Sequence, residues 1–184
     1  MKLMIVPAST RKDSLNKKLA KLTAEIVGKL GVSVDFAEFS EFNLPLYDGD
    51  QDAAQGIPAN GKKFIERMQA ADALIIASPE YNYSTPGSLK NLIDWVSRVR
   101  PMPWSGQHIM LMSASPALAG GHRGLLHTRV PLEGCGAFVF PDMFCLGSAH
   151  SAFNPDGNLI DPELQKRLHG TLEKFIAYLK KLQC

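Results

Sequence analysis

The sequence predicts an α/β fold, a doubly wound parallel sheet of five strands with helices on both faces. Short apolar runs of strand length alternate along the chain with segments whose apolar residues recur at helical spacing. Strands buried on both faces read as uninterrupted apolar runs, and joining them in parallel takes crossover connections that are usually helical. No repeat, low-complexity tract or linker divides the 184 residues, so at ~150 residues per domain positions 1–184 are expected to form a single domain.

Leu3-Met4-Ile5-Val6, ending at Pro7, is the first strand. Leu15, Leu19, Leu22, Ile26 and Leu30 then mark one face of a helix that stops near Gly31. Val32, Val34 and Phe36 alternate with Ser33 and Asp35 as a second strand, and the polar, Gly- and Pro-containing stretch Asn43 to Pro58 is expected to be an exposed loop. Phe64, Ile65 and Met68 form a weaker helical face before the third strand, Ala73 to Ala77. Ser84, Thr85 and Pro86 supply cap and first-turn residues for a helix with the stripe Leu89, Leu92, Ile93 and Val96. Ile109 to Met112 is the fourth strand. A Gly-rich turn and a short helix follow, which Pro131 should end or kink, and Ala137 to Phe140 is the fifth strand. Asp161-Pro162 opens a last helix with Leu164, Leu168, Leu172, Phe175, Ile176, Leu179 and Leu182 along one face. This count fits the flavodoxin-like order 2-1-3-4-5 better than the six-stranded dinucleotide fold, and places ligands beyond the carboxyl ends of the strands.

Composition excludes several classes. Hydrophobic residues at 45% and charged residues at 21% are ordinary for a compact globular protein. With 20 Lys+Arg against 18 Asp+Glu, the net charge of +2 argues against nucleic acid or an anionic membrane as partner. The longest apolar runs are far shorter than the ~18 residues a membrane span needs, and the N-terminus lacks a signal-peptide pattern, so a cytoplasmic location is expected. Cys135, Cys145 and Cys184 are widely spaced and read as structural. His108, His122, His127, His150 and His169 show no ligand spacing, so no metal is assigned.

The loops after strands one, three and four carry the chemistry. Ser9-Thr10-Arg11-Lys12-Asp13-Ser14-Leu15-Asn16 brings hydroxyls, an Arg and an Asn to the start of a helix. Helix N-termini present unpaired amides and partial positive charge, so this segment suits a phosphate, although plain capping by Ser14 explains part of it equally well. Neither GxxxxGK[ST] nor GxGxxG follows the first strand, which weakens kinase and dehydrogenase readings. A single anion site suits a terminal monophosphate, such as that of a mononucleotide flavin.

The loop after strand three reads Pro79-Glu80-Tyr81-Asn82, then Ser84-x-Pro86-Gly87-x-Leu89-Lys90-Asn91-x-Ile93-Asp94-Trp95. Together with Ser9-x-Arg11-x-x-Ser14-x-Asn16 it closely resembles the NADPH-dependent FMN reductase family, which includes quinone, chromate and azo-dye reductases. The resemblance spans nearly the whole chain. It implies that Ser9, Arg11, Ser14 and Asn16 hold the FMN phosphate, that Pro79, Glu80, Tyr81 and Asn82 border the isoalloxazine, and that Ser113, Ser115, Gly120 and Gly121 are second-tier flavin contacts. It also implies a reaction in which NADPH or NADH passes hydride to flavin N5 and leaves, and a quinone-like oxidant, flavin, chromate or azo compound takes its place. The chemistry is then the flavin's, with no catalytic protein residue.

A homodimer or homotetramer is implied as well, with Trp95 and Trp104 as candidate interface aromatics. Glu80, at a loop tip, is expected to be solvated and to bind rather than to act as acid or base. Lys90 and Asp94 should pair on a solvated helix face. His122 and Arg123 read either as helix-start residues or as contacts for a phosphate of the nicotinamide cofactor. Ala8 and Ala117 stand where the family more often has glycine, and a Cβ there restricts positive φ. The other readings are a flavodoxin-type one-electron carrier, which the near-neutral charge disfavours, and a flavin-binding sensor.

Overall fold

The computed structural model describes residues 1–182, so Cys184 lies outside the described residues. Its central strands are β1 (Lys2–Pro7), β3 (Ala73–Ala77) and β4 (His108–Ala114), each buried almost throughout, as uninterrupted apolar runs require. With β2 (Ser33–Phe36) and β5 (Phe138–Val139) they form a parallel sheet in the expected order β2-β1-β3-β4-β5. A sixth strand, β6 (Phe144–Leu146), was not expected. The fifth ladder position is split. β5 pairs His108 and Ile109 at the start of β4, and β6 pairs Met112 to Ala114 at its end. Pro141, which has no amide to donate, interrupts the ladder between them.

The pleat sends alternate side chains into two cores. Leu3, Ile5, Ile75 and Met110 face α1 (Leu15–Lys29) and α6 (Pro162–Leu182). Met4, Val6, Ile76 and Leu111 face α3 (Ala59–Gln69), α4 (Gly87–Val96) and α5 (His122–Gly134). Asp161 caps α6 as expected, its Oδ1 accepting from the amide of Glu163 at 2.9 Å. Leu182, assigned to the buried face of α6, is 52% exposed, because the helix outruns the sheet that covers its earlier turns.

Three further expectations change. The stretch Asn43 to Pro58 is not all loop but contains α2 (Gly49–Gln55), which buries no residue and so leaves no apolar periodicity to read. Pro131 does not end α5, which continues to Gly134. Trp95 and Trp104 are fully buried and cannot serve as interface aromatics. Trp95 donates from Nε1 to the carbonyl of Pro45 at 2.8 Å and meets Tyr47 edge-on, while Trp104 packs against Phe64. Lys90 and Asp94 do pair on an exposed face, with contacts of 2.7 and 2.9 Å.

Candidate functional site

The carboxyl ends of β1, β3 and β4 deliver their loops to one open cleft, where ligands of doubly wound sheets sit. Ser9, Arg11, Ser14 and Asn16 line it from the first loop, Pro79, Glu80 and Tyr81 from the second, and Ser115 from the third. Leu15, Ala114 and Pro116 complete the wall, and the sequence reading did not single them out.

On the β1 side the cleft meets the start of α1. Ser14 is the N-cap, with extended backbone and its hydroxyl accepting from the Lys17 amide at 3.4 Å. The amides of Leu15 and Asn16 lie in the first turn, where no intrahelical acceptor exists. Ser9 is buried, and its Oγ accepts from the Arg11 amide at 3.4 Å. Arg11 is exposed, and among the described residues no carboxylate pairs with it. Ala8 is buried, and neither it nor Ala117 takes a positive φ, so the Cβ atoms that replace glycine hydrogens leave both loops unstrained.

Asn16 does something the motif did not announce. Its Nδ2 donates to the Ala114 carbonyl and its Oδ1 accepts from the Ala114 amide, both at 2.9 Å, across 98 positions. The side chain closes the end of β4 as a neighbouring strand would, and it keeps one Nδ2 hydrogen for a ligand.

The β3 side is fastened to α5. Glu80 is not solvated as expected: its Oε2 accepts from the Gly124 amide at 2.7 Å. The N-cap residue of α5 is Gly121, at φ +83°, which has no side chain to cap with, so Glu80 caps the helix from across the fold. The approach demands glycine, because a Cβ on Gly124 would lie 2.9 to 3.1 Å from Glu80. Two further bonds follow along the helix, Ser84 Oγ to His127 Nδ1 at 3.1 Å and Thr85 Oγ1 to Thr128 Oγ1 at 3.0 Å. Between these ties the backbone turns tightly. Tyr81 and Ser84 exchange amide–carbonyl bonds of 3.1 and 3.0 Å, while Asn82 and Tyr83 both take positive φ, at +49° and +64°. This is the geometry of a type I′ turn, whose central positions favour Asn and Gly.

Four of the expected contacts stand outside the cleft wall. Asn82 is exposed at the tip of the turn. Ser113 is fully buried, because β4 runs on through it to Ala114, and its Oγ lies against Gly121, where a Cβ would collide with it. Gly120 is backed against the main chain of Leu146 and Gly147, where any Cβ would meet backbone at 2.9 Å. Gly120 and Gly121 therefore let the third loop fold close to β6 and β4. The missed residues Gly124, Thr85 and Thr128 had one visible signal, a glycine within an otherwise helical stretch. Burial pushes the thiols of Cys135 and Cys145 up from their ordinary range, so neither is a nucleophilic thiolate at neutral pH.

Residues 1–151 match the family model for NADPH-dependent FMN reductases. The chain is similar to an NAD(P)H-dependent FMN reductase of Pseudomonas aeruginosa, 33% identical over 190 positions that cover 100% of this chain and 97% of that protein. It is similar to a quinone reductase of Escherichia coli K12, 34% identical over 187 positions covering 99% and 98%. Among solved structures it is similar to FerB, a flavoenzyme NAD(P)H:(acceptor) oxidoreductase from Paracoccus denitrificans, with a TM-score of 0.84 and 28% identity over 98% of this chain and 97% of that one. With a cleft at the carboxyl ends of a parallel sheet and relatives aligned from end to end, the chain belongs to the NADPH-dependent FMN reductase family.

Proposed function

We propose that this chain is an FMN-dependent NAD(P)H oxidoreductase that reduces quinones or other small oxidants such as flavin, chromate or azo compounds, with residues 1–184 forming one FMN-binding domain. The observation that carries the reading is that one of two helix N-termini at the cleft is open to an anion. At α1 the first turn has amides without intrahelical acceptors, and Ser9, Ser14 and Arg11 line the cleft beside it, whereas the Gly124 amide of α5 is already bonded to Glu80. One anion site matches the single terminal phosphate of FMN and not a diphosphate.

FMN, when bound, supplies the hydride chemistry between NAD(P)H and the oxidant. Ser9, Arg11 and Ser14 hold its phosphate. Asn16 positions their loop through Ala114 and offers its remaining Nδ2 hydrogen. Pro79, Glu80 and Tyr81 border the ring, and Tyr81, 47% exposed, offers an aromatic face. Ser115 closes the cleft from the third loop, while Asn82, Ser113, Gly120 and Gly121 shape the loops around it. No protein acid, base or nucleophile takes part. A cytoplasmic homodimer or homotetramer belongs to the same reading, and the exposed Leu126 and Val130 on α5 are better placed for a subunit contact than the buried tryptophans. Among the described residues no helix is long and apolar enough to cross a membrane.

The test is spectroscopic. FMN titrated into the purified protein should be bound, bleached by anaerobic NADPH or NADH, and recoloured by a quinone. Flavin that binds but is not reduced by nicotinamide would instead indicate a carrier, and failure to bind FMN would overturn the proposal.

A further inference from the structure

Tyr83, two residues beyond Tyr81 of the cleft wall, meets Arg123 of α5. Tyr83 occupies a left-handed position where glycine is the usual occupant, and an aromatic residue persists there only when its surroundings enforce it. The enforcement is visible in the bonds from Glu80, Ser84 and Thr85 to α5, which bracket the turn. The result is a 65% exposed ring on a constrained backbone, with the guanidinium of Arg123 lying 5.2 Å above its centroid.

Arg123 is itself oddly placed. It sits in the first turn of α5, beside the helix's positive end, where a cation is electrostatically disfavoured; no residue of that turn is acidic, and the Glu80 carboxylate that caps the helix is engaged by the Gly124 amide. Among the described residues no carboxylate pairs with it. Its neighbour Gly124 is bonded to Glu80, and Tyr83 lies two residues beyond Tyr81; Glu80 and Tyr81 line the cleft, so the Arg123–Tyr83 pair adjoins the cleft wall without lining it. A strained backbone at Tyr83 and a cation at Arg123 that makes no ion pair among the described residues meet in one contact, which is how a sequence breaks local rules at a functional position. An exposed arginine over an aromatic ring keeps N–H groups free for the oxygens of a phosphate.

We infer that Arg123, held on Tyr83, receives a phosphate group of the incoming nicotinamide dinucleotide. The inference rests on the NAD(P)H-oxidoreductase reading and assigns this cation a different anion from the one held at α1. Two phosphates share the chemistry: the diphosphate that NADH and NADPH have in common, and the 2′-phosphate that NADPH alone carries.

The experiment uses the FMN-loaded protein and three variants, Arg123→Ala, Arg123→Lys and Tyr83→Ala. FMN affinity, read by quenching of flavin fluorescence, is expected to be the same in all. Losing a charge-assisted contact made equally to bound substrate and transition state should raise KM about tenfold in Arg123→Ala while kcat holds. Arg123→Lys should recover part of the loss, and Tyr83→Ala should show a smaller rise because the guanidinium is no longer held. Equilibrium binding of ADP and of 2′,5′-ADP, measured by calorimetry with or without FMN, reads the same contact without turnover. A rise in KM for NADPH alone, with weaker 2′,5′-ADP binding, identifies the 2′-phosphate. A rise for both dinucleotides, with both adenylates weakened, identifies the diphosphate. Unchanged KM and adenylate binding in Arg123→Ala would overturn the inference, as would a parallel loss of FMN affinity. Failure of the unaltered protein to bind FMN would sink the oxidoreductase reading separately, and the adenylate titration would still report on Arg123.

Discussion

On the β1 side of the cleft, Ser9, Arg11 and Ser14 stand within one short stretch and are organised by the helix they begin. On the β3 side, Glu80 reaches an α5 amide 44 positions away, and the turn beyond it needs two more bonds to the same helix. The first half is local structure and offers unpaired donors. The second half is tertiary structure, with its polar groups already engaged with one another. A cleft built this way separates holding a charged group from placing a flat one, and each half should fail in its own manner.

Asn16 ties the β1 side to the end of β4, and removing it should have the largest effect. Asn16→Ala leaves the buried amide and carbonyl of Ala114 unpaired, so unfolding free energy from urea titration should fall by about 3 kcal/mol, with FMN affinity falling as well. Arg11→Ala should sharpen the contrast. A lost charge-assisted bond weakens FMN binding by about a hundredfold but leaves riboflavin, which has no phosphate, unaffected. Glu80→Ala should weaken FMN and riboflavin alike by about tenfold, because it loosens the wall and not the anion site, and Glu80→Gln, which keeps an acceptor, should restore most of the affinity. Equal loss of FMN and riboflavin in Arg11→Ala would show that the halves are not separable.

The smallest effect lies away from the cleft. His108, at the start of β4, is stacked on Phe138 and bonded through Nδ1 to the Tyr178 hydroxyl at 3.0 Å. Burial lowers its pKa from the ordinary value of 6.5. The unfolded chain then binds this proton more readily than the folded one, so the His108 contribution is full above about pH 6.5 and declines as pH falls through that value towards the folded pKa. Thermal melts of His108→Gln should lose this slope while FMN affinity stays the same.

How much of this was legible follows the range of the interactions. β1, β3 and β4 could be read because strands buried on both faces carry unbroken apolar runs. The split of the last ladder position could not, since Phe144–Leu146 is too short to show a period. The anion half of the cleft was legible in Ser9, Arg11 and Ser14 because helix starts have local signatures. Glu80 was misread as solvated because its partner lies on α5, and Trp95 as an interface residue because the carbonyl that satisfies its indole belongs to Pro45. Ser113 was taken for a loop residue because the strand was ended at Met112, before its true end at Ala114.

The double bond between Asn16 and Ala114 also sets a clock. An amide at the end of a strand, next to an exposed loop, would ordinarily exchange its hydrogen with water through small local openings. The Ala114 amide is held from α1, so it can meet deuterated solvent only when α1 lifts from the sheet. Its exchange should therefore keep pace with the slow core amides of α1 and not with Ala117 and Leu118 a few residues away, making one backbone hydrogen a reporter on whether the first and third loops of the cleft come apart together.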